Sequence, residues 1–431
     1  MPEFRFGRRD FLWAGAAAIT GNLPESPLIS KEDLAYLKQL AKNTISSATK
    51  EASGAGIGFA CITPGGDYPS LWIRDFSMAS GCGLIPPDTL LMHLKAIAKS
   101  QNGSKARVLG GRALIPPYAI ADHINYQGGA VFYPGTYSSG DDQGGEPYGK
   151  LPPMDDHFEF INIAYHCWKQ DQDCLGIEVD GKIILDRLIL ALDAPLRDDR
   201  TGLLKTSEGN RAVGFGFCDG IYLTGTLLFP SLLKIRALDQ MVQMTRGTRY
   251  RGMAANWSRL RQTMIDSIPE TFGFKGWLKA ATGVGQQPDV WGTLFAIHLG
   301  VLKGDLKKMV LQTVKEAIRS GTITYRGAVR HIPIDYDFSK TSAWERTAGE
   351  ALNRYQNGAY WHVPTGWLAS ALWQIDPSLA RTVVSDMVKH FREEEAKGAP
   401  WECLHPDGDY RQNPVYMASI TLPLECLLQL H

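Results

Sequence analysis

The stretch Ser70-Leu71-Trp72-Ile73-Arg74-Asp75-Phe76-Ser77-Met78 sets an arginine and an aspartate side by side between a tryptophan and a phenylalanine. An adjacent guanidinium and carboxylate hold a polar ligand by directed hydrogen bonds, and the flanking rings cover its apolar side. Trp72, Arg74 and Asp75 are therefore candidate binding residues. The structural alternative is an ion pair at the start of a helix. What decides between the two is recurrence: three more segments share this mixture of aromatics, carboxylates and glycine with few lysines.

The second is Pro153-Met154-Asp155-Asp156-His157-Phe158-Glu159-Phe160. Two acids at a helix start serve as caps and complement the helix dipole. Asp155, Asp156 and Glu159 could equally bind sugar hydroxyls. The third is Gly214-Phe215-Gly216-Phe217-Cys218-Asp219-Gly220-Ile221-Tyr222, where Asp219 is a lone carboxylate among apolar neighbours. Such surroundings disfavour the charge and raise the pKa, as a general acid requires; a buried capping role is the alternative. The fourth is Gln356-Asn357-Gly358-Ala359-Tyr360-Trp361-His362-Val363-Pro364-Thr365-Gly366-Trp367, a loop with aromatic platforms at Tyr360, Trp361 and Trp367 beside Asn357. Pro400-Trp401-Glu402-Cys403-Leu404-His405-Pro406-Asp407-Gly408 follows it. There Glu402 stands next to Trp401, just before a His-Pro-Asp-Gly turn, at what reads as a polar loop mouth favouring the ionised form.

Between these segments the chain alternates helical spacing with Gly/Pro/Asp/aromatic loops. Helices are predicted over 31–51, 87–100, 156–170, 182–194, 225–243, 254–268, 290–302, 306–320, 342–352, 364–372, 378–394 and 418–430. Short strands are predicted at 57–62, 177–180 and 322–325. The helices are too widely and irregularly spaced for an array with a ~34-residue period. The loop 102–150 is long enough to be functional. The expectation is an all-α chain: one (α/α)6 toroid of helical hairpins over residues 30–431, with long loops and minor β-strands on one face.

Composition narrows the function. Of 431 residues, 44% are apolar and 21% charged, as in an ordinary folded core. Lys+Arg and Asp+Glu are both 45, which leaves no basic excess for nucleic acid. The 11 Trp, 16 Tyr and 16 Phe suit either a core or a sugar-stacking cleft. The seven cysteines form no CxxC pair and no zinc spacing, and the Asp141-Asp142 loop lacks calcium-loop spacing, so no metal is expected. Arg8-Arg9 before a short apolar run resembles a twin-arginine export signal over residues 1–25, which predicts a periplasmic or extracellular protein. No segment reads as a membrane span, and nothing implies an obligate protein partner.

The chain contains no Gly-x-Ser-x-Gly elbow, phosphate loop or dinucleotide fingerprint, so no cofactor is expected. The order Trp72-Ile73-Arg74-Asp75-Phe76, Phe217-Cys218-Asp219-Gly220, Asn357-Gly358-Ala359-Tyr360-Trp361 and Trp401-Glu402 with Gly408 resembles the six-hairpin (α/α)6-barrel glycosidases. The inverting trehalase and processing α-glucosidase group is the nearest comparison. Phe217-Cys218 stands where that group usually carries a tryptophan. The resemblance spans roughly residues 55–430. It implies that the segment around Arg74-Asp75 binds the sugar in the −1 subsite, that Asp219 is the acid and that Glu402 is the base. It also implies that the Tyr/Trp-rich loop walls the site and that Asp289 and Trp291 line the cleft. The function so implied is inverting hydrolysis of an oligo- or polysaccharide. Two alternatives stay open: a sugar epimerase or polysaccharide lyase using His362, His405 or Tyr360, and a non-catalytic carbohydrate-binding protein.

Overall fold

The structure is a computed structural model that describes residues 26–51 and 57–430; the expected export signal over 1–25 lies outside them. Twelve helices occur among the described residues. In chain order they are α1 Lys31–Ala48, α2 Ile73–Ser80, α3 Pro87–Ser100, α4 Asp155–Gln170, α5 Ile184–Asp193 and α6 Leu228–Thr245. α7 Arg251–Phe272, α8 Val290–His298, α9 Gly304–Arg319, α10 Thr365–Trp373, α11 Pro377–Glu394 and α12 Ala418–Leu430 complete the set.

Two kinds of helix alternate. The even-numbered ones are buried nearly all round: every residue of α2 is buried, as is all of α8 but its last residue. The apolar ones such as α8 belong inside on composition alone, whereas α2 and α4 carry buried polar groups that pair with one another there. The odd-numbered ones bury a single stripe; α9 hides only Val310, Leu311, Val314 and Ala317, at spacings of three and four. Each even helix packs on the next, α2 to α4 to α6 to α8 to α10 to α12, and α12 returns to α2. The inner ring is thereby closed, with the amphipathic helices outside it. Small residues let inner helices approach: a Cβ on Gly366 of α10 would lie 2.5 Å from Cys426 of α12. Two outer helices begin on side-chain caps: for α1, Ser30 accepts from the Asp33 N–H at 3.0 Å, and for α11, Asp376 accepts from the Leu379 N–H at 3.1 Å.

Two small antiparallel sheets dress one end of the ring. Ser70–Trp72, His123–Asn125 and Ala130–Val131 form one, with Trp72 opposite His123. The other runs in the order Thr324–Tyr325, Ala328–Arg330, Tyr360–Trp361, Cys403–His405, Tyr410–Gln412. The all-α toroid with minor strands is thus the observed architecture.

One predicted helix is absent. Residues 342–352 form a loop, because their backbone groups are claimed from outside. Asn357 Oδ1 accepts the Ala343 N–H at 2.8 Å, and the Ala348 N–H donates to Gly220 O at 2.8 Å. Conversely, α2 is not predicted because its 8 residues fall short of the window over which helical spacing can be read.

Candidate active site

The first turns of α2, α4 and α12 meet at the end of the ring that carries the sheets. Helix N-termini favour negative charge, and carboxylates gather there. Arg74 on α2 lies at their centre. Its Nη2 donates to Asp122 at 2.6 Å and Asp156 at 3.1 Å, and its Nε to Asp155 at 2.8 Å. All four side chains are buried. Asp155 also accepts the Gly216 N–H at 2.8 Å, so α4 and Arg74 jointly fix the loop that carries Asp219. Gly216 is required: a Cβ there would fall 1.9 Å from the guanidinium. Burial would raise Asp122, but Arg74 and His123 overcome it and hold this carboxyl at about 2.

Asp219 is partly exposed at the end of a short 3₁₀ turn, Gly216–Cys218. The Gln356 amide donates to it at 2.7 Å and accepts the Gly220 N–H at 2.8 Å. Burial lifts Asp219 to about 6, against the pull of Gln356 and Arg74. Glu402 arrives from the far end of the chain, just before the strand Cys403–His405. Tyr68 Oη donates to it at 2.8 Å, Tyr355 Oη lies at 3.5 Å, and the Asn413 amide donates to its other oxygen. The polar, solvated position expected for Glu402 is corrected here: the residue is 1% exposed. Burial drives it to about 8 against the Asn413 and Tyr68 donors, with Asp75 and Asp219 adding repulsion. Asp75, which accepts from Tyr416, is lifted to about 6 by burial. Asp219, Glu402 and Asp75 are thus within electrostatic reach of one another.

Aromatic rings wall this cluster. Trp72 stacks on His123 at 4.4 Å, with Tyr68 edge-on at 4.8 Å and the exposed Tyr137 at 5.7 Å. Trp361 meets Tyr355 at 5.3 Å and Phe217 at 5.5 Å. Successive strand residues face opposite ways, so Tyr360 turns from Trp361 to pack with Ala328, Leu404 and His405.

Other expected binding residues have different occupations. Asp155 and Asp156 serve Arg74. Asp289 caps α8, accepting the Gly292 N–H at 2.7 Å, and burial raises it to about 7. Trp291 is buried against His331 at 4.0 Å. The Asn357 side chain is spent on backbone: its oxygen accepts from Ala343 and its amide donates to Glu350 O at 2.7 Å. Trp401 is buried against Gly398 and Pro414. Glu159 and Trp367 line a separate cavity of about 40 Å³ between the inner helices, where Glu159 pairs with Arg236 at 2.6 Å. Trp72, Trp361 and Trp367 therefore do not share one cleft. Residues the sequence reading missed are Tyr68, Asp122, His123, Tyr137, Glu350, Tyr355, Gln356, Asn413 and Tyr416. A Tyr-rich loop composition was their only signal.

Three solved structures resemble this chain. A rhamnosidase from Klebsiella oxytoca with rhamnose bound gives a TM-score of 0.55 at 10% identity, over 94% of this chain and 65% of that one. A glycosidase in complex with glucose gives 0.54 at 12% identity, over 93% and 99%. A mannosylglycerate hydrolase of glycoside hydrolase family 63 from Thermus thermophilus, in complex with glucose, gives 0.57 at 10% identity, over 90% and 99%. The chain shares the helical-toroid fold of these three proteins. No family model and no curated protein sequence matches it. In this fold the described residues include no metal-ligand cluster and no helix long and apolar enough to cross a membrane. All seven cysteines are free and buried.

Proposed function

We propose that residues 30–431 form a catalytic domain that hydrolyses a glycosidic bond of an oligo- or polysaccharide with inversion, Asp219 acting as acid and Glu402 as base. The observation that carries this reading is the approach of two carboxyls from distant parts of the chain, Glu402 buried and Asp219 partly exposed, inside an aromatic-walled cluster. Asp219 keeps an exposed edge from which to protonate the departing oxygen. Glu402 receives donors from Tyr68, Tyr355 and Asn413, which favour its carboxylate against the burial that lifts it to about 8, so its basic form grows as pH rises through that value. Arg74 sits at the bottom, saturated by its three aspartates, and stiffens the floor.

Epimerase or lyase chemistry would need a histidine or tyrosine as the base. His362 is wholly buried, stacked at 5.2 Å on His390, and its imidazole is held well below its ordinary pKa by burial. Tyr360 and His405 stack on each other away from Asp219 and Glu402. These placements favour the hydrolase.

The test is a panel of glycans assayed for newly formed reducing ends, with proton NMR of the first product anomer. Inversion is expected; retention overturns the mechanism. D219N should recover rate on glycosides whose leaving group needs no protonation, whereas E402Q should not. The reverse pattern would exchange the two roles. Export rests on Arg8-Arg9 alone: replacing both by lysine should keep the protein in the cytoplasm, and unchanged export refutes it.

A further inference from the structure

The segment carrying Glu350 is laced to the Asp219 loop. The Tyr222 N–H donates to Arg346 O at 3.0 Å, the Ala348 N–H to Gly220 O at 2.8 Å, and Ile221 bridges Thr347. This lacing lays the Glu350 side chain over Gly220, where a Cβ would come within 2.9 Å of Glu350 Oε1. Gln356 clamps Asp219 and Gly220 from the other side, and Asn357 holds the Glu350 carbonyl at 2.7 Å. Glu350 Oε2 is buried with no hydrogen-bond partner, and among the described residues no cation forms an ion pair with Glu350.

We propose that Glu350 is a positioning residue of the reaction, a carboxylate facing Asp219 that keeps the acid proton on it until the leaving oxygen takes that proton. The proposal rests on Asp219 as the acid. Two carboxyls facing each other across one glycine, both partly buried and with Glu350 Oε2 sealed from water, do not both ionise cheaply; the pair retains one proton where an isolated aspartate has lost its own. The charges around them agree. Glu350 is pushed to about 7, first by burial and then by Asp219. Asp219 also faces Arg74 and Asp122, Glu402, Tyr148, Tyr355, Arg211 and Cys218. Glu350 further faces Tyr148, Cys218 and Cys403. The cation nearest the floor, Arg74, is already shared among three aspartates, so the Glu350 charge goes uncompensated.

Two measurements decide it. The first needs no activity: melting temperatures of wild type, D219N, E350Q and the double variant at pH 5 and pH 8. Expected at pH 8 is a double variant that gains less than the sum of the two singles, because the repulsion is relieved only once; at pH 5 the shortfall vanishes. Additive shifts at both pH values overturn the pairing. The second is the pH profile of kcat/KM. E350Q should move its basic limb down by about one unit, roughly a tenfold change in proton affinity, while E350D restores most of it. An unmoved limb in folded E350Q and E350A overturns the role. Should the wild type cleave no glycoside, the hydrolase reading falls, and the melting cycle alone still decides whether the two carboxyls share a proton.

Discussion

Arg74→Met is the sharpest test of how the floor of the site is built. It removes the guanidinium but keeps the length of the side chain. Three aspartates, each fully buried, lose their cation at once. Removing one partner of a buried pair costs about 3–5 kcal/mol, because the remaining charge is left without compensation. That is a large part of the ~5–15 kcal/mol that separates folded from unfolded chains. The loss should depend on pH. Asp122 sits at about 2 in the folded protein, below the ordinary aspartate value of ~3.9. A depressed carboxyl contributes stability above its unfolded pKa and loses it as pH falls through the folded value. Without Arg74 the same carboxyl rises, and protonation relieves the variant in mild acid. Urea unfolding followed by tryptophan fluorescence should therefore show the full penalty at pH 8 and a clearly smaller one at pH 4.5. A penalty below about 1 kcal/mol at pH 8 would refute the reasoning, as would equal penalties at both pH values. Arg74→Lys should recover only part of the loss, since an ammonium lacks the planar fork that reaches three carboxylates.

D219N and E402Q should each lose at least about two orders of magnitude in turnover. Their folded values of about 6 and 8 lie above the ordinary ones. Each group therefore contributes stability below its unfolded pKa that is lost as pH rises through the folded value. Melting temperatures of the two variants should fall less than wild type between pH 5 and pH 9, and an equal fall would count against buried, functional carboxyls. Gly216→Ala should cost about 1–3 kcal/mol and lower kcat, because its Cβ meets the Arg74 guanidinium; unchanged unfolding and kinetics would refute that contact. Trp361→Ala should cost about 3–5 kcal/mol in urea unfolding, as a buried ring, whereas Tyr137→Ala on the exposed rim should leave stability intact and raise KM.

The inner helices explain how much of this was legible. Much of their chemistry sits where the chain enters them, so local composition picked out Arg74, Asp75 and Asp155 even though α2 itself is too short for its period to be read. Glu402 was legible as a carboxylate beside an aromatic, but not as a buried one. Its environment comes from Tyr68, 334 positions earlier, and Asn413, 11 later. Asn357 shows the opposite failure. Its amide reads as free for a ligand and is instead consumed by the backbone of a loop the sequence does not reveal as its neighbour. The same amide helps pull 342–352 out of the helix that its alanines and glutamates favour. Pattern reads what a residue prefers, whereas the site is set by which distant residue arrives beside it.

The closure of the ring by α12 also sets an order of events in the cell. Tyr416 reaches Asp75 across 341 positions. A ribosome adding ~5–20 residues per second spends about 17–70 s on that interval. Through it, α2, every residue of which is buried in the folded chain, has emerged without the helix that covers its flank, and Glu402 is added only near the end. The nascent chain is until then an open arc, and a chain that ends before residue 402 lacks both Glu402 and the helix that closes the ring.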